Sequence, residues 1–298
     1  VVTGDTSVRP ATQLLNRVFA DWTGESAGAS DPMSHPTQDG GIVLVHRPGS
    51  VQAEVRIGHV LPTGDSPDWR ALDVAIHHLG AGPSGLLFRE LRERLGFTYS
   101  ATATAERRTG PGLLEVAFAA RNEVAADALG EALRLMDEVA SRPMAEEDLS
   151  AAVDFLTGVF PLQNETPQQA VTRLANGLVR GWEDLGFDPI LRELRALTAG
   201  EVRRAFADAV DPSRADIVVV GDAVVLQPQL AIYGDVRVEL PDGTPLSMAE
   251  LAPSGRSAPL SAVRLPMDSY RYDVTLQGQS VGSLMREFEG DEAERTAT

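Results

Sequence analysis

Two side chains in this sequence, Arg92 and Tyr99, have types and a spacing that suit the recognition of a peptide carbonyl. Gly96 between them is typical of the glycine that ends a helix, which places Arg92 in the last helical turn and Tyr99 just inside a strand. Side chains so placed can converge, and a guanidinium and a phenol hydroxyl both donate hydrogen bonds. The alternative is that Arg92 pairs with Glu93 or another surface carboxylate, and that Tyr99 is an ordinary strand aromatic.

No other motif supports a catalytic centre. The five histidines occur in neither H-x-x-E-H nor H-E-x-x-H, the spacings that bring two imidazoles and a base together. His77 and His78 are adjacent, so on a helix they point about 100° apart and cannot share a metal ion. The segment 80–85 (GAGPSG) matches G-x-G-x-x-G, but it follows a predicted helix. It therefore indicates a tight turn with Ser84 capping the next helix, not a dinucleotide loop.

The composition narrows the possible partners. The chain has 298 residues, 43 acidic and 26 basic, with a net charge of −17, and a hydrophobic fraction of 43% that predicts a soluble globular protein. Such an acidic surface repels nucleic acid. No apolar run is long enough to span a membrane. The absence of cysteine excludes disulfides and, with no signal peptide at the first residue, leads us to expect a cytoplasmic location.

The elements that must position Arg92 and Tyr99 indicate an α+β fold. Alternating apolar residues predict strands at 42–46, 54–61, 97–105, 113–120 and 216–220. Apolar residues three and four apart predict helices over 12–22, 69–79, 86–95, 123–141, 145–158, 167–182, 188–196 and 199–209. We expect an antiparallel sheet with helices packed on one face, because helices and antiparallel strands occur in separate runs. A short C-terminal β-hairpin is predicted over 270–288.

A short repeat sets the predicted domain organisation. The sequence VVTGD at 1–5 echoes VVVGD at 218–222, and the second copy closes the α+β block. If both copies end the same kind of unit, residues 1–25 are the tail, a strand and a helix, of a preceding homologous domain. We therefore expect a linker at 26–41, the main domain at 42–225 and a C-terminal extension at 226–298.

The segment 80–99, GAGPSGLLFRELRERLGFTY, resembles the second, non-metal half of pitrilysin/insulinase-type zinc peptidases, the family of the mitochondrial processing peptidase. The Arg and Tyr of that half, seven residues apart, fall on Arg92 and Tyr99. The resemblance covers about residues 42–225, because later landmarks of that half follow in order. They are NETP at 164–167, RLA at 173–175, LTAGEV at 197–202 and VVVGD at 218–222.

This resemblance implies a division of labour between two homologous halves that enclose a peptide. One half holds zinc through H-x-x-E-H and a distal Glu, and activates the water that attacks the peptide bond. The other half stabilises the oxyanion, here with Arg92 and Tyr99 as the catalytic residues. Gly82, Ser84 and Gly85 in the glycine-rich turn are expected to bind substrate. Zinc is expected on the partner half, and no metal on this chain.

We therefore predict the non-zinc half of a two-half zinc endopeptidase, either one subunit of a heterodimer or the carboxyl half of a longer chain. By itself this chain should not cleave peptides. Two alternatives stay open: a catalytically silent scaffolding subunit of the same fold, as in respiratory complexes, and a peptide-binding module without catalysis. The presence of both Arg92 and Tyr99 weighs against a scaffold, because a scaffold needs neither. An extended substrate could also pair with strand 98–105 if the edge of that strand is free.

Overall fold

The computed structural model describes residues 1–24, 40–182, 186–247 and 249–251, together with the backbone of 270–276 and 279–286. All but the last two residues of the predicted linker at 26–41 lie outside these ranges. The chain divides into two compact units, Val1–Leu251 and Ala252–Thr298.

The first unit contains a six-stranded sheet and the helices that cover it. Its strands are β1 (Gly41–His46), β2 (Gln52–Thr63), β3 (Thr98–Glu106), β4 (Pro111–Arg121), β5 (Asp216–Gly221) and β6 (Val236–Glu239). Its α-helices are α1 (Val8–Val18), α2 (Trp69–Gly80), α3 (Ala125–Ser141), α4 (Glu146–Leu162), α5 (Pro167–Val179), α6 (Phe187–Ala196), α7 (Ala199–Ala209) and α8 (Ala223–Leu230). A 3₁₀ turn at Gly82–Ser84 and a π-helix at Phe88–Arg94 lie between α2 and β3.

The sheet has the strand order β3-β4-β2-β5-β1-β6 and is mixed. β1 runs parallel to both of its neighbours, β5 and β6, whereas the other pairs are antiparallel. The α+β class is confirmed, and the expectation of an antiparallel sheet holds for β2 to β5 only. The two parallel pairs join β1 to strands that are distant in the chain, and a prediction from consecutive strands cannot show such pairs.

Among the described residues of the first unit, helices pack on one face of the sheet and the other face carries exposed side chains. On β2, Ala53, Val55 and Ile57 are fully buried, whereas Glu54 and Arg56 between them are exposed. This alternation is the period of a strand with one face on a hydrophobic core. The largest fully buried side chains of this core include Trp69, Leu72, Leu79, Leu87, Leu91, Leu114, Leu129, Leu135 and Phe206. The helices of the core layer therefore hold the segment with Arg92 against the sheet.

The end of β5 is fixed by a buried aspartate. The side chain of Asp222 is 2% exposed; its carboxylate accepts the backbone N–H of Gly49 at 3.0 Å and that of Val224 at 3.1 Å. The first bond ties β5 to the β1–β2 turn, and the second caps α8. The second copy of the repeat, VVVGD at 218–222, is therefore the end of a strand that hydrogen bonds of Asp222 fix to the neighbouring turn and helix.

The carboxyl end of α2 lies unusually close to β3. A Cβ atom on Gly80 would be 2.5 Å from the Cβ of Ala103 and 2.9 Å from its Cα. Only glycine permits this approach, because real carbon contacts are about 3.5–4.0 Å. The approach fixes where the glycine-rich turn and the π-helix begin relative to β3.

The second unit contains a β-hairpin in which β7 (Tyr270–Leu276) pairs antiparallel with β8 (Gln279–Arg286). The predicted hairpin is confirmed up to residue 286, and residues 287–288 lie outside the described part. Among the helices that the structure describes, none has the length and apolar character needed to cross a bilayer.

Candidate functional site

Arg92 and Tyr99 come together in the structure. The guanidinium carbon of Arg92 lies 4.6 Å from the centroid of the Tyr99 ring, within cation–π distance. Arg92 is partly exposed, and Tyr99 is 80% exposed at the start of β3. The predicted convergence of a guanidinium and a phenol at one surface spot is therefore present in the fold.

The π-helix presents Arg92 at its carboxyl end. The backbone N–H of Leu95 donates to the carbonyl of Glu90 at 3.0 Å, a five-residue step that marks the wider π-turn. Gly96 follows with a φ of 65°, and its N–H donates to the carbonyl of Arg92 at 3.2 Å. Glycine adopts this left-handed conformation without steric cost, so the predicted helix-ending role of Gly96 is confirmed. π-Turns are frequent at functional sites.

The carboxylates near Arg92 have other partners. Arg94 pairs with Glu90 and, at 3.3 Å, with Glu131. Arg89, on the same helix, is 3.9 Å from Asp148. Within the described ranges, Arg92 takes part in no ion pair and no hydrogen bond from its side chain. The alternative in which Arg92 pairs with a surface carboxylate is therefore not the arrangement in this structure.

A bulge at the start of β3 sets the direction of Tyr99. The pairing of β3 with β4 shifts register between Thr98 and Ala101. The Thr98 hydroxyl donates to the Ser100 carbonyl at 2.8 Å, and the Ser100 N–H donates to the same hydroxyl oxygen at 3.2 Å. Bulges next to functional sites redirect a side chain, and this one holds Tyr99 outward between two hydrogen-bonded residues.

The glycine-rich turn at 80–85 precedes the π-helix in the chain, and its 3₁₀ segment packs against β3. Gly82 has a φ of 61°, and a Cβ on Gly85 would collide with the α2 end, 2.8 Å from the nitrogen of Ala81. The Ser84 hydroxyl donates to the carbonyl of Ala81 at 3.3 Å and caps no following helix, so the predicted capping role is wrong. The reason is that the chain passes through Gly85 before the next helix begins. These contacts give the turn a structural role, and substrate binding by Gly82, Ser84 and Gly85 stays a prediction.

Among the described residues, no three histidine, aspartate or glutamate side chains are grouped so that they could hold a metal ion. His77 and His78 lie in the last turn of α2, and burial lowers the pKa of both imidazoles. The His77 ring packs on Phe155 with a centroid distance of 4.5 Å. The donor set of this part of the chain therefore does not fit zinc.

Phe88 is a third member of the site that the sequence analysis did not single out. The Arg92 guanidinium carbon lies 4.7 Å from the centroid of the Phe88 ring, so this cation contacts two aromatic rings. The sequence does contain an indication of this contact, because Phe88 and Arg92 are four residues apart and residues at that spacing are neighbours on a helix.

A model of the peptidase M16 inactive domain matches residues 1–156, and the chain belongs to this family. The predicted resemblance to the non-metal half of pitrilysin-type zinc peptidases is confirmed. A protein of Streptomyces coelicolor, named an uncharacterized zinc protease, is 25% identical over 212 residues, which are 71% of this chain and 43% of that protein. The chain thus spans less than half the length of this relative.

Solved structures share the fold. The crystal structure of a peptidase M16 inactive domain from Pseudomonas fluorescens superposes with a TM-score of 0.64 at 20% identity, covering 74% of this chain and 52% of that chain. A chain of complex III from Candida albicans gives a TM-score of 0.54 at 12% identity, covering 66% and 50%. At these identities the likeness concerns the fold alone.

Proposed function

We propose that this chain is the substrate-binding, non-zinc half of a zinc endopeptidase, and that Arg92 and Tyr99 stabilise the scissile region of a bound peptide. One observation carries the proposal: these two side chains lie 4.6 Å apart, guanidinium carbon to ring centroid, at an accessible surface. Within the described ranges neither side chain has a hydrogen-bond partner of its own.

The chemistry assigned to each residue follows from its donors. Arg92 has five N–H donors, and contact with aromatic rings consumes none of them. It holds a substrate carbonyl oxygen beside the scissile bond. The Tyr99 hydroxyl donates to the oxygen that becomes negative as the tetrahedral intermediate forms. A partner half supplies the zinc, because the described residues of this chain offer no site for it.

The position of β3 supports an extended peptide as the substrate. β3 is an edge strand of the sheet. Its residues from Ser100 to Ala105 carry no charge and no proline, the usual devices that prevent a further strand from pairing with an edge. A peptide laid along this edge would pass Tyr99 at the start of the strand.

We also propose that residues 1–25 are the tail of a preceding homologous domain. In the second VVVGD copy, Asp222 is buried and caps a helix. In the first copy, Val1 and Val2 are 56% and 51% exposed, and helix α1 buries no residue. Exposed apolar residues on α1 are Val8, Leu14, Leu15 and Val18, followed by Phe19 and Trp22. Such a face indicates a packing partner, and the repeat supports one of the same architecture.

Replacement of Tyr99 by Phe tests the proposed role of the hydroxyl. In the assembled enzyme, with its zinc half present, we expect kcat for an unstructured fluorogenic peptide to fall roughly a hundred- to a thousand-fold, the usual cost of one oxyanion donor. Zinc content should not change. The matched control is Tyr233→Phe, which removes a hydroxyl that bonds the Ala126 carbonyl at 2.9 Å elsewhere in the fold. Unaltered turnover in Tyr99→Phe would remove this residue from the mechanism.

Native mass spectrometry of the protein from its natural source tests the assembly. We expect a species heavier than 31.8 kDa that contains a zinc-bearing half and one zinc ion. A metal-free particle built only of this chain would leave the two alternatives, a scaffolding subunit and a peptide-binding module without catalysis.

A further inference from the structure

The Phe88 ring lies beneath Arg92 at a point where the arginine has no carboxylate partner. The ring centroid is 4.7 Å from the guanidinium carbon, and Tyr99 lies at a similar distance of 4.6 Å. Phe88 is half-buried, and the fully buried Leu87 and Leu91 anchor the same helix. The support for the guanidinium within the described ranges is therefore aromatic.

We propose that Phe88 is a positioning residue for Arg92: its ring holds the guanidinium next to Tyr99 while leaving every N–H free for the substrate. This inference rests on the proposed role of Arg92. A carboxylate at the same place would also hold the arginine, but it would accept the hydrogen bonds that a peptide carbonyl needs. An aromatic ring attracts the cation through its quadrupole and accepts none of them.

The neighbouring ion pairs support this role. Arg89 and Arg94, on either side of Arg92 in the same helix, both have carboxylate partners in Asp148 and Glu90. Two of the three arginines in this helix therefore form ion pairs with carboxylates, and the middle one contacts aromatic rings. That difference is expected if only the middle arginine binds a ligand.

The test is a double-mutant cycle in the assembled enzyme, measured with the peptide that is cleaved fastest from a fluorogenic library of unstructured peptides. Phe88→Leu keeps an apolar side chain and removes the ring, and we expect kcat/KM to fall about three- to tenfold, as loss of a partly exposed cation–π contact predicts. Phe88→Tyr keeps a ring and should restore most of the activity. Phe155→Leu is the matched control, because that ring is 55% exposed and packs on His77, not on an arginine.

The cycle separates positioning from simple support of the fold. In an Arg92→Ala background, Phe88→Leu should cause no further loss, because the group that it positions is gone. An equal loss in both backgrounds would overturn the inference. If Arg92→Ala lowers cleavage but Phe88→Leu does not, the inference fails and the proposed function stands. If Arg92→Ala itself leaves cleavage unchanged, the proposed role of Arg92 fails, and the role of Phe88 fails with it.

Discussion

The close approach of α2 to β3 predicts a large effect for a small change, Gly80→Ala. The new methyl would lie 2.5 Å from the Cβ of Ala103 and 2.9 Å from its Cα, so helix and strand must separate by roughly 1 Å to restore ordinary contact. Backbone atoms on both sides cannot rotate away. Overpacking of this kind costs about 1–3 kcal/mol, and the better helix propensity of alanine offsets about 0.5–1 kcal/mol. We expect a net loss of about 1 kcal/mol.

Urea unfolding followed by circular dichroism measures this loss. With a slope of about 3 kcal/mol/M, the midpoint should fall by roughly 0.3 M. Gly158→Ala is the matched control, because Gly158 lies within α4, is exposed, and a Cβ there meets nothing within 4 Å. That variant should be more stable than the wild type by about 0.5–1 kcal/mol. A Gly80→Ala protein as stable as the Gly158→Ala protein would refute the close approach and the positioning of the turn that depends on it.

Two further changes probe pH dependence and the bulge. Because burial lowers the pKa of His77 below its usual 6.5, the unfolded chain binds a proton at a pH where the folded chain does not. The free energy of unfolding should therefore fall as the pH drops below about 6.5, and the fall between about pH 7 and 5.5 should be smaller in His77→Gln than in the wild type. An equal fall in both proteins would contradict this assignment. Thr98→Val removes the two hydrogen bonds to Ser100 and should cost about 1–2 kcal/mol in urea unfolding. Thr98→Val should also lower kcat/KM, because Tyr99 loses its fixed direction. Thr98→Ser should retain the stability and the kcat/KM of the wild type.

The fold was predictable where the hydrophobic period is strong. The predicted strands from β1 to β5 and the helices α2 to α7 are present with shifted ends, and the predicted helix over 86–95 is a π-helix over Phe88–Arg94. α8 was not predicted, because it contains Pro228 and lacks an apolar stripe. β6 was missed because it has four residues, too few for a clear alternation.

The site was predictable only in part, for a physical reason. The meeting of Arg92 and Tyr99 follows from local geometry: a helix end at Gly96 and a short connection to a strand. The bulge after Thr98 depends on the register between β3 and β4, which one strand cannot specify by itself. The expectation that Ser84 caps a helix was wrong because the cap depends on where the chain turns after Gly85.

The pairing of charges is the strongest argument against a purely structural role for Arg92. The chain has 43 acidic and 26 basic residues, so carboxylates are in excess and an arginine at the surface has many potential partners. Glu90 and Glu93 are near it in sequence, yet Glu90 pairs with Arg94, and Arg92 lies over aromatic rings instead. An exposed ion pair contributes about 0.2–1 kcal/mol and an exposed cation–π contact about 0.5–1 kcal/mol, so stability alone does not select the aromatic arrangement. A peptidase half that offers hydrogen-bond donors to a peptide carbonyl does gain from holding Arg92 against aromatic rings. Each donor that is already bonded to a carboxylate is one fewer for the substrate.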